Sequence, residues 1–178
     1  DRDKSLIKLL ENLKEKHNSI EIYNKDALSL PIWKLGNVPR EVIANLPYNI
    51  STKILINLLK NSSQFSKMTM MFQKEVANRI IAKPGSKSYN RLSVITQLKT
   101  KTKILFDVPD TAFFPKPKVQ SSLVQFIPYE NEKHNFDFKK MEELTRFVFA
   151  KKRKMLRTIF KKEGGSSFLN SINVDPNV

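Results

Sequence analysis

The sequence predicts an α/β fold: a sheet with helices alternating along it, followed by a small, helical, strongly basic C-terminal domain. Three observations carry this. Short apolar or alternating runs recur between segments of helical spacing over roughly the first hundred residues. The last two such runs, 103–108 and 119–127, lie too close for a helix between them and so pair antiparallel. After Pro128 strand-like text ceases and lysine and arginine accumulate. The domain boundary therefore falls near residue 128, dividing the chain into 1–128 and 129–178.

The elements follow in order. Leu6, Ile7, Leu9, Leu10 and Leu13 among charges give residues 3–16 the spacing of an amphipathic helix. Residues 20–24 alternate and read as a first strand that ends near Asp26. Residues 28–39, with Pro31, Gly36 and Pro39, form a loop. The apolar run at 41–44 reads as a second, buried strand. Ser51 is placed as the N-cap of a helix carrying Ile54, Leu55, Leu58 and Leu59. A methionine-rich third strand covers 67–72, and a helix covers 75–82, closed by Lys83-Pro84-Gly85. Residues 91–98 resume helical spacing, and 103–108 and 119–127 are the closing strand pair around a proline-rich loop, 109–118. Residues 130–135 form a polar linker. One long basic helix spans 138–162 with Leu144, Phe147, Val148, Met155, Ile159 and Phe160 as anchors; Gly164-Gly165 breaks it, and 170–178 begins a further short helical element.

Composition narrows the chemistry. The chain has 178 residues, with 32 Lys and Arg against 17 Asp and Glu, a formal charge of +15. Such an excess points to a polyanion, with nucleic acid first and a membrane surface second. There is no cysteine, hence no disulfide framework, thiolate nucleophile or Cys-based zinc site. The two histidines, His17 and His134, are far apart, which argues against a His metal site or a Ser/His triad. The four glycines form no phosphate-cradling loop. No run is long and apolar enough to span a bilayer, so a cytoplasmic protein without a membrane partner is expected.

One stretch invites chemistry. The apolar run ends abruptly in Asn45-Leu46-Pro47-Tyr48 at the carboxyl end of its strand, where ligands bind in open α/β sheets. The Asn45 carboxamide can accept a hydrogen bond from an exocyclic amine. Pro47 removes a backbone donor and stiffens the loop. Tyr48 offers a ring on which a base can stack. Two acceptors on such an amine would aim its lone pair out of the ring plane, toward an electrophilic methyl. An ordinary turn with a satisfied Asn and a packed Tyr fits these four residues equally well. In the C-terminal segment, Arg146, Arg153, Arg157 and Lys161 fall on one face of a continuous helix. Such a face suits a sugar-phosphate backbone, or solvent alone.

The chain resembles a known family. "NLPYNIS" (45–51) is similar to the signature of the ribosomal RNA adenine dimethyltransferases of the small-subunit type. "MFQKEVANRI" (71–80), "SKSYNRLSV" (86–94) and "AFFPKPKVQSS" (112–122) match three further family blocks in the same order. The resemblance runs from "DRD" to the C-terminal "KKRKMLR". It implies a Rossmann-like, seven-stranded S-adenosyl-L-methionine-dependent methyltransferase sheet of order 3-2-1-4-5-7-6 with a small helical domain. It implies four methyl transfers to N6 of two adjacent adenosines near the 3′ end of small-subunit ribosomal RNA. By position, Asn45 would contact both the adenine N6 and the cofactor region, and Leu46 and Pro47 would offer main-chain acceptors. Tyr48 would stack on the base and Phe113 would close it from the other face. Asp26 would accept from the amine of the cofactor's adenine, although it suits a turn cap too. Arg91, Lys116 and Lys118 lie in matching blocks and are candidate RNA contacts alongside the basic helix.

The chain also departs from the family pattern. The glycine-rich turn after the family's first strand and the acidic residue ending its second are absent, so the match reads as a fragment lacking the first two strands. The strand at 20–24 would then have no neighbour, and the strand ending at Asn45 an open edge. Alone, the fragment is expected to be poorly stable and inactive. The complete protein is expected to be a monomer whose partner is small-subunit ribosomal RNA or a small-subunit precursor. Two rival readings are a non-catalytic RNA-binding or ribosome-assembly module, and a macrolide-resistance-type large-subunit RNA methyltransferase.

Overall fold

The structure, a computed structural model, describes residues 4–130, 136–151 and 153–178. The main elements are α1 (Lys4–Lys16), β1 (Arg40–Ala44), α2 (Tyr48–Lys60), β2 (Phe65–Gln73), α3 (Lys74–Ile81), α4 (Arg91–Lys99), β3 (Thr100–Val108), β4 (Ser121–Pro128), α5 (Phe138–Ala150), α6 (Leu156–Ile159) and α7 (Ser166–Ser171). Of the expected linker at 130–135, residues 131–135 lie outside the described residues. Two compact units result, Asp1–Ala77 with Thr100–Glu130, and Asn78–Lys99 with Asn131–Val178.

The first unit holds one four-stranded sheet in the order β1-β2-β4-β3. β1 and β2 are parallel, which requires a crossover, and α2 supplies it. β4 runs antiparallel to both β2 and β3, so the closing pair is a hairpin, as its short connection requires. This reproduces the 4-5-7-6 half of the order that the resemblance implies. Met68, Met70 and Phe72 on β2 and Val124 and Phe126 on β4 are fully buried. The Phe72 and Phe126 rings meet edge-to-face at 6.1 Å between centroids. α2 lays Ile54, Leu55, Leu58 and Leu59 onto this core at helical spacing. Each contributes about 1.5–3 kcal/mol by leaving water.

In the second unit Asp137 caps α5, its Oδ1 accepting from the Lys139 and Lys140 amides at 2.8 and 3.2 Å. Arg91 on α4 joins Glu142 on α5 at 2.7 Å. The Tyr89 and Phe149 rings meet edge-to-face.

Five expectations are corrected. Residues 20–24 keep their alternation, with Ile20 and Ile22 half-buried and Glu21 exposed, but form no strand, because no strand among the described residues lies beside them to share a ladder. β1 is not buried: it is an edge strand, and Ile43 is 86% exposed. α2 starts at Tyr48 with Pro47 as its N-cap, so Ser51 lies inside the helix and returns its hydroxyl to the Tyr48 carbonyl at 3.0 Å. The long basic helix at 138–162 is two helices, α5 and α6, with a turn between them that includes Lys151, Arg153 and Met155. Phe147 and Phe160 explain the break. A straight helix would hold them about 20 Å apart, yet their rings touch at 5.8 Å and Phe160 also meets Phe168 at 5.8 Å. That aromatic cluster needs a reversal of the chain. Arg146, Arg153, Arg157 and Lys161 therefore do not share one helical face. Finally, the short C-terminal helix is α7, which ends at Ser171, and the chain beyond it is turns.

Candidate active site

β1 ends at Ala44 and α2 begins at Tyr48, so Asn45, Leu46 and Pro47 bridge the carboxyl end of the strand to the start of the helix. Pro47 lacks an N–H and its fixed φ suits a helix entrance. Its carbonyl accepts from the Ile50 and Ser51 amides at 3.1 and 3.2 Å, launching the first turn. Of the two main-chain acceptors expected here, Pro47 is thus already engaged by the helix. The Leu46 carbonyl and the Asn45 carboxamide accept no hydrogen bond among the described residues. Asn45 is exposed, so its carboxamide is open to solvent.

These three residues form the common wall of two cavities. The larger, of about 440 Å³, is also lined by Tyr23, Asp26, Ala27, Leu30 and Ile50. The smaller, of about 240 Å³, is also lined by Tyr48, Met71, Phe113, Phe114, Pro115 and Pro117. Asp26 caps a turn and also lines the larger cavity. Its Oδ1 accepts from the Leu28 amide at 2.9 Å and its carbonyl takes the Ser29 and Leu30 amides, which caps a turn, and its side chain faces the larger cavity. The Tyr23 phenol lies there too; the hydrogen bond it donates to Glu21 holds its pKa above the usual tyrosine value. In the smaller cavity Phe113 is half-buried, whereas Phe114 stands fully out in solvent.

The proline-rich loop that carries Phe113 is the hairpin connection of β3 and β4, closed at its base by the pairing of Val108 with Ser121. Lys74 holds its exit: the Lys74 amide donates to the Gln120 carbonyl at 2.9 Å, and its ammonium donates to the Gln120 side chain at 3.2 Å. The same ammonium meets Asp107 at 2.8 Å, and Ser122 donates to Asp107 at 2.6 Å. Those two bonds, Lys74 first, hold the Asp107 carboxyl below the usual carboxylate range. Within the loop Lys116 pairs with Asp110 at 3.2 Å, and Lys118 is exposed.

The remaining predicted contacts belong to the second unit. The Arg91 guanidinium is engaged by Glu142, so an RNA contact there would compete with a carboxylate. Arg146 is exposed on α5. Arg157 donates to the Asn177 side chain at 2.8 Å. Arg153 lines a cavity of about 460 Å³ with Ala150, Lys151, Lys154 and Thr158. Lys151 and Lys154 are not members of the helical stripe that Arg146, Arg153, Arg157 and Lys161 would form. The signal that marks them is the uninterrupted run of cations from 151 to 154.

The larger cavity has features that suit the adenine end of S-adenosyl-L-methionine. Its volume is that of a small-molecule site. A carboxylate and a carboxamide can meet the polar edge of a purine, while Ala27, Leu30 and Ile50 cover its faces.

Ribosomal RNA small subunit methyltransferase A of Gluconobacter oxydans is 39% identical over 157 residues, covering 88% of this chain and 52% of that protein. Among the relatives matched, this chain spans between 52% and 60% of the length of the first three. A crystal structure of a dimethyladenosine transferase from Plasmodium falciparum superposes with a TM-score of 0.78 at 32% identity, covering 97% of this chain and 61% of that one. A crystal structure of the 23S rRNA methyltransferase ErmE shares the fold, with a TM-score of 0.71 at 20% identity over 100% of this chain and 72% of that one. The family profile described as ribosomal RNA adenine dimethylase matches residues 1–178, and the chain belongs to that family.

Proposed function

We propose that the protein carrying this sequence transfers methyl groups from S-adenosyl-L-methionine to N6 of two adjacent adenosines near the 3′ end of small-subunit ribosomal RNA during small-subunit biogenesis. One observation carries the reading: the Asn45 carboxamide and the Leu46 carbonyl, both without partners among the described residues, stand where a cavity fit for the cofactor and a cavity walled by aromatic rings share a wall.

The bound cofactor supplies an electrophilic methyl on a sulfonium. The chain's own residues do the rest. The target adenine leaves its stack and enters between Tyr48 and Phe113. Asn45 and Leu46 accept the two N6 hydrogens, which turns the nitrogen lone pair toward the shared wall and reduces its delocalisation into the ring. Orientation of this kind is the catalytic contribution. Histidine lines neither cavity among the described residues. None is needed, because the proton leaves after transfer, when the nitrogen carries positive charge. Asp26 receives the amine of the cofactor's adenine.

Residues 1–128 carry the chemistry in this reading and 129–178 hold RNA. The cations around the turn between α5 and α6, Lys151, Arg153 and Lys154, join Arg146, Arg157 and Lys161 as phosphate contacts. Lys118 serves the loop side; Lys116 on the same loop and Arg91 on α4 reach phosphate only by exchanging their carboxylate partners. No helix among the described residues is long and apolar enough to cross a membrane. A cytoplasmic monomer acting on a small-subunit particle fits these features.

The test is Asn45→Ala in the complete protein. Methyl transfer to small-subunit particles should fall about a hundredfold or more, with RNA affinity nearly unchanged. Normal methylation by this variant would remove Asn45 from the mechanism. A preference for naked large-subunit RNA would keep the site and overturn the substrate.

A further inference from the structure

We propose that Ser121 is a positioning residue for the methyl transfer just described, acting through the Tyr48 ring. The inference rests on that functional reading and adds a residue to it. The Tyr48 and Ser121 hydroxyls are 2.7 Å apart, joining residues separated by 73 positions in sequence. Ser121 is fully buried. It sits in β4 between two partners, Gln73 on β2 and Val108 on β3. The centre of a sheet favours branched apolar side chains, and a buried hydroxyl is tolerated there only with a hydrogen-bond partner. Among the described residues, Tyr48 is the partner that the Ser121 hydroxyl finds.

The position of Ser121 gives the bond its consequence. Pairing of Ser121 with Val108 closes the base of the loop that carries Phe113. Tyr48 and Phe113 line the same cavity. One residue therefore fixes the phenol tip of one aromatic wall and the root of the other. Lys74, by holding Gln120 through both its amide and its ammonium, keeps that root in place. With its tip tethered, the Tyr48 ring cannot swing about its side-chain torsions, and the gap offered to a flat base is set before the base arrives. The tether also engages the phenol hydroxyl. Tyr48 thus acts by its face, as a stacking surface, and not as an acid or base.

The bond makes a non-additive prediction, read in the complete protein with small-subunit particles. Tyr48→Phe keeps the ring and removes the hydroxyl; Ser121→Ala removes the other partner. Each should lower kcat about tenfold with KM for the particle within about twofold, and the double variant should be no slower than the slower single. Losses that multiply in the double variant, or a Tyr48→Phe enzyme with unchanged kcat, would overturn the proposal. A second readout does not depend on activity. With 3-fluorotyrosine placed at position 48, Ser121→Ala should move and broaden the fluorine resonance. An unmoved resonance shows that the tether does not exist in solution. Wild-type protein that methylates no adenine overturns the functional reading, and the latch's catalytic role with it, while an active wild type with multiplying losses overturns the latch alone.

Discussion

β1 and β2 are parallel neighbours with similarly apolar sequences, yet their burial is opposite. Met68, Met70 and Phe72 of β2 are fully buried, while Ile43 of β1 is 86% exposed. Among the described residues β2 has a strand on each side and β1 has one only. The ion pair across the two strands, Lys67 to Glu41 at 3.0 Å, joins two half-exposed groups and contributes at most about 1 kcal/mol. An apolar run therefore reports the capacity to be buried, and neighbours decide whether burial happens. The candidate site grows from the end of the less supported strand. α1 carries the same lesson on the same unit, with Leu9 65% exposed on its apolar side.

The strongest way to break this contrast is to truncate one side chain in each strand. Phe72→Ala should destabilise the chain by about 3–5 kcal/mol, because it opens a cavity against Phe126 in a packed core. Ile43→Ala should change stability by no more than about 0.5 kcal/mol. Denaturant unfolding of the two variants measures both. Equal losses would mean that β1 is covered in solution.

Much of this was legible in the sequence, for reasons that differ by region. β2, α3 and α4 match their expected bounds to within two residues, and α2 keeps its apolar spacing although it starts at Tyr48, ahead of the expected cap at Ser51. The β3–β4 hairpin followed from loop length alone. Asn45 to Tyr48 and Phe113 are brought to one cavity because the first four are contiguous and the fifth is carried on the loop of that hairpin. The failures share one cause. Alternation at 20–24 and helical spacing at 138–162 are local signals, and tertiary context overrode both. A strand needs a partner, and the Phe147–Phe160 contact requires a turn that no proline or glycine announces. Ser121 lies in the matched stretch at 112–122, but its role was not legible there. A serine in a strand declares nothing until Tyr48, 73 positions away, is found against it.

A smaller effect sharpens the contrast at the β1 edge. An unpaired edge with an exposed Ile43 is a template for another strand. Ile43→Lys places a charge there and should suppress concentration-dependent association of this chain, measured by light scattering, while leaving its unfolding midpoint nearly unchanged. Unaltered association would show that contacts between copies form elsewhere.

The opposite edge, β3, gives the smallest and most specific test. It too has one strand neighbour among the described residues, but Asp107 ties it inward through Lys74 and Ser122. The Lys74 bond, then the Ser122 bond, depress the Asp107 pKa in the folded chain. A carboxyl depressed on folding stabilises the fold above its unfolded value, and that contribution is lost as pH falls through the folded value. The sensitive window therefore opens at about pH 4 and extends downward. Asp107→Asn keeps an oxygen for Lys74 and Ser122 but removes the titration. Its stability should fall less steeply than wild type across that window, and the two should differ by a constant amount above it. The step is small because Asp107 and Lys74 are both nearly half-exposed and solvent screens their attraction. Parallel acid limbs for the two proteins would mean that the tie is not ionic, and that backbone pairing alone secures the β3 edge.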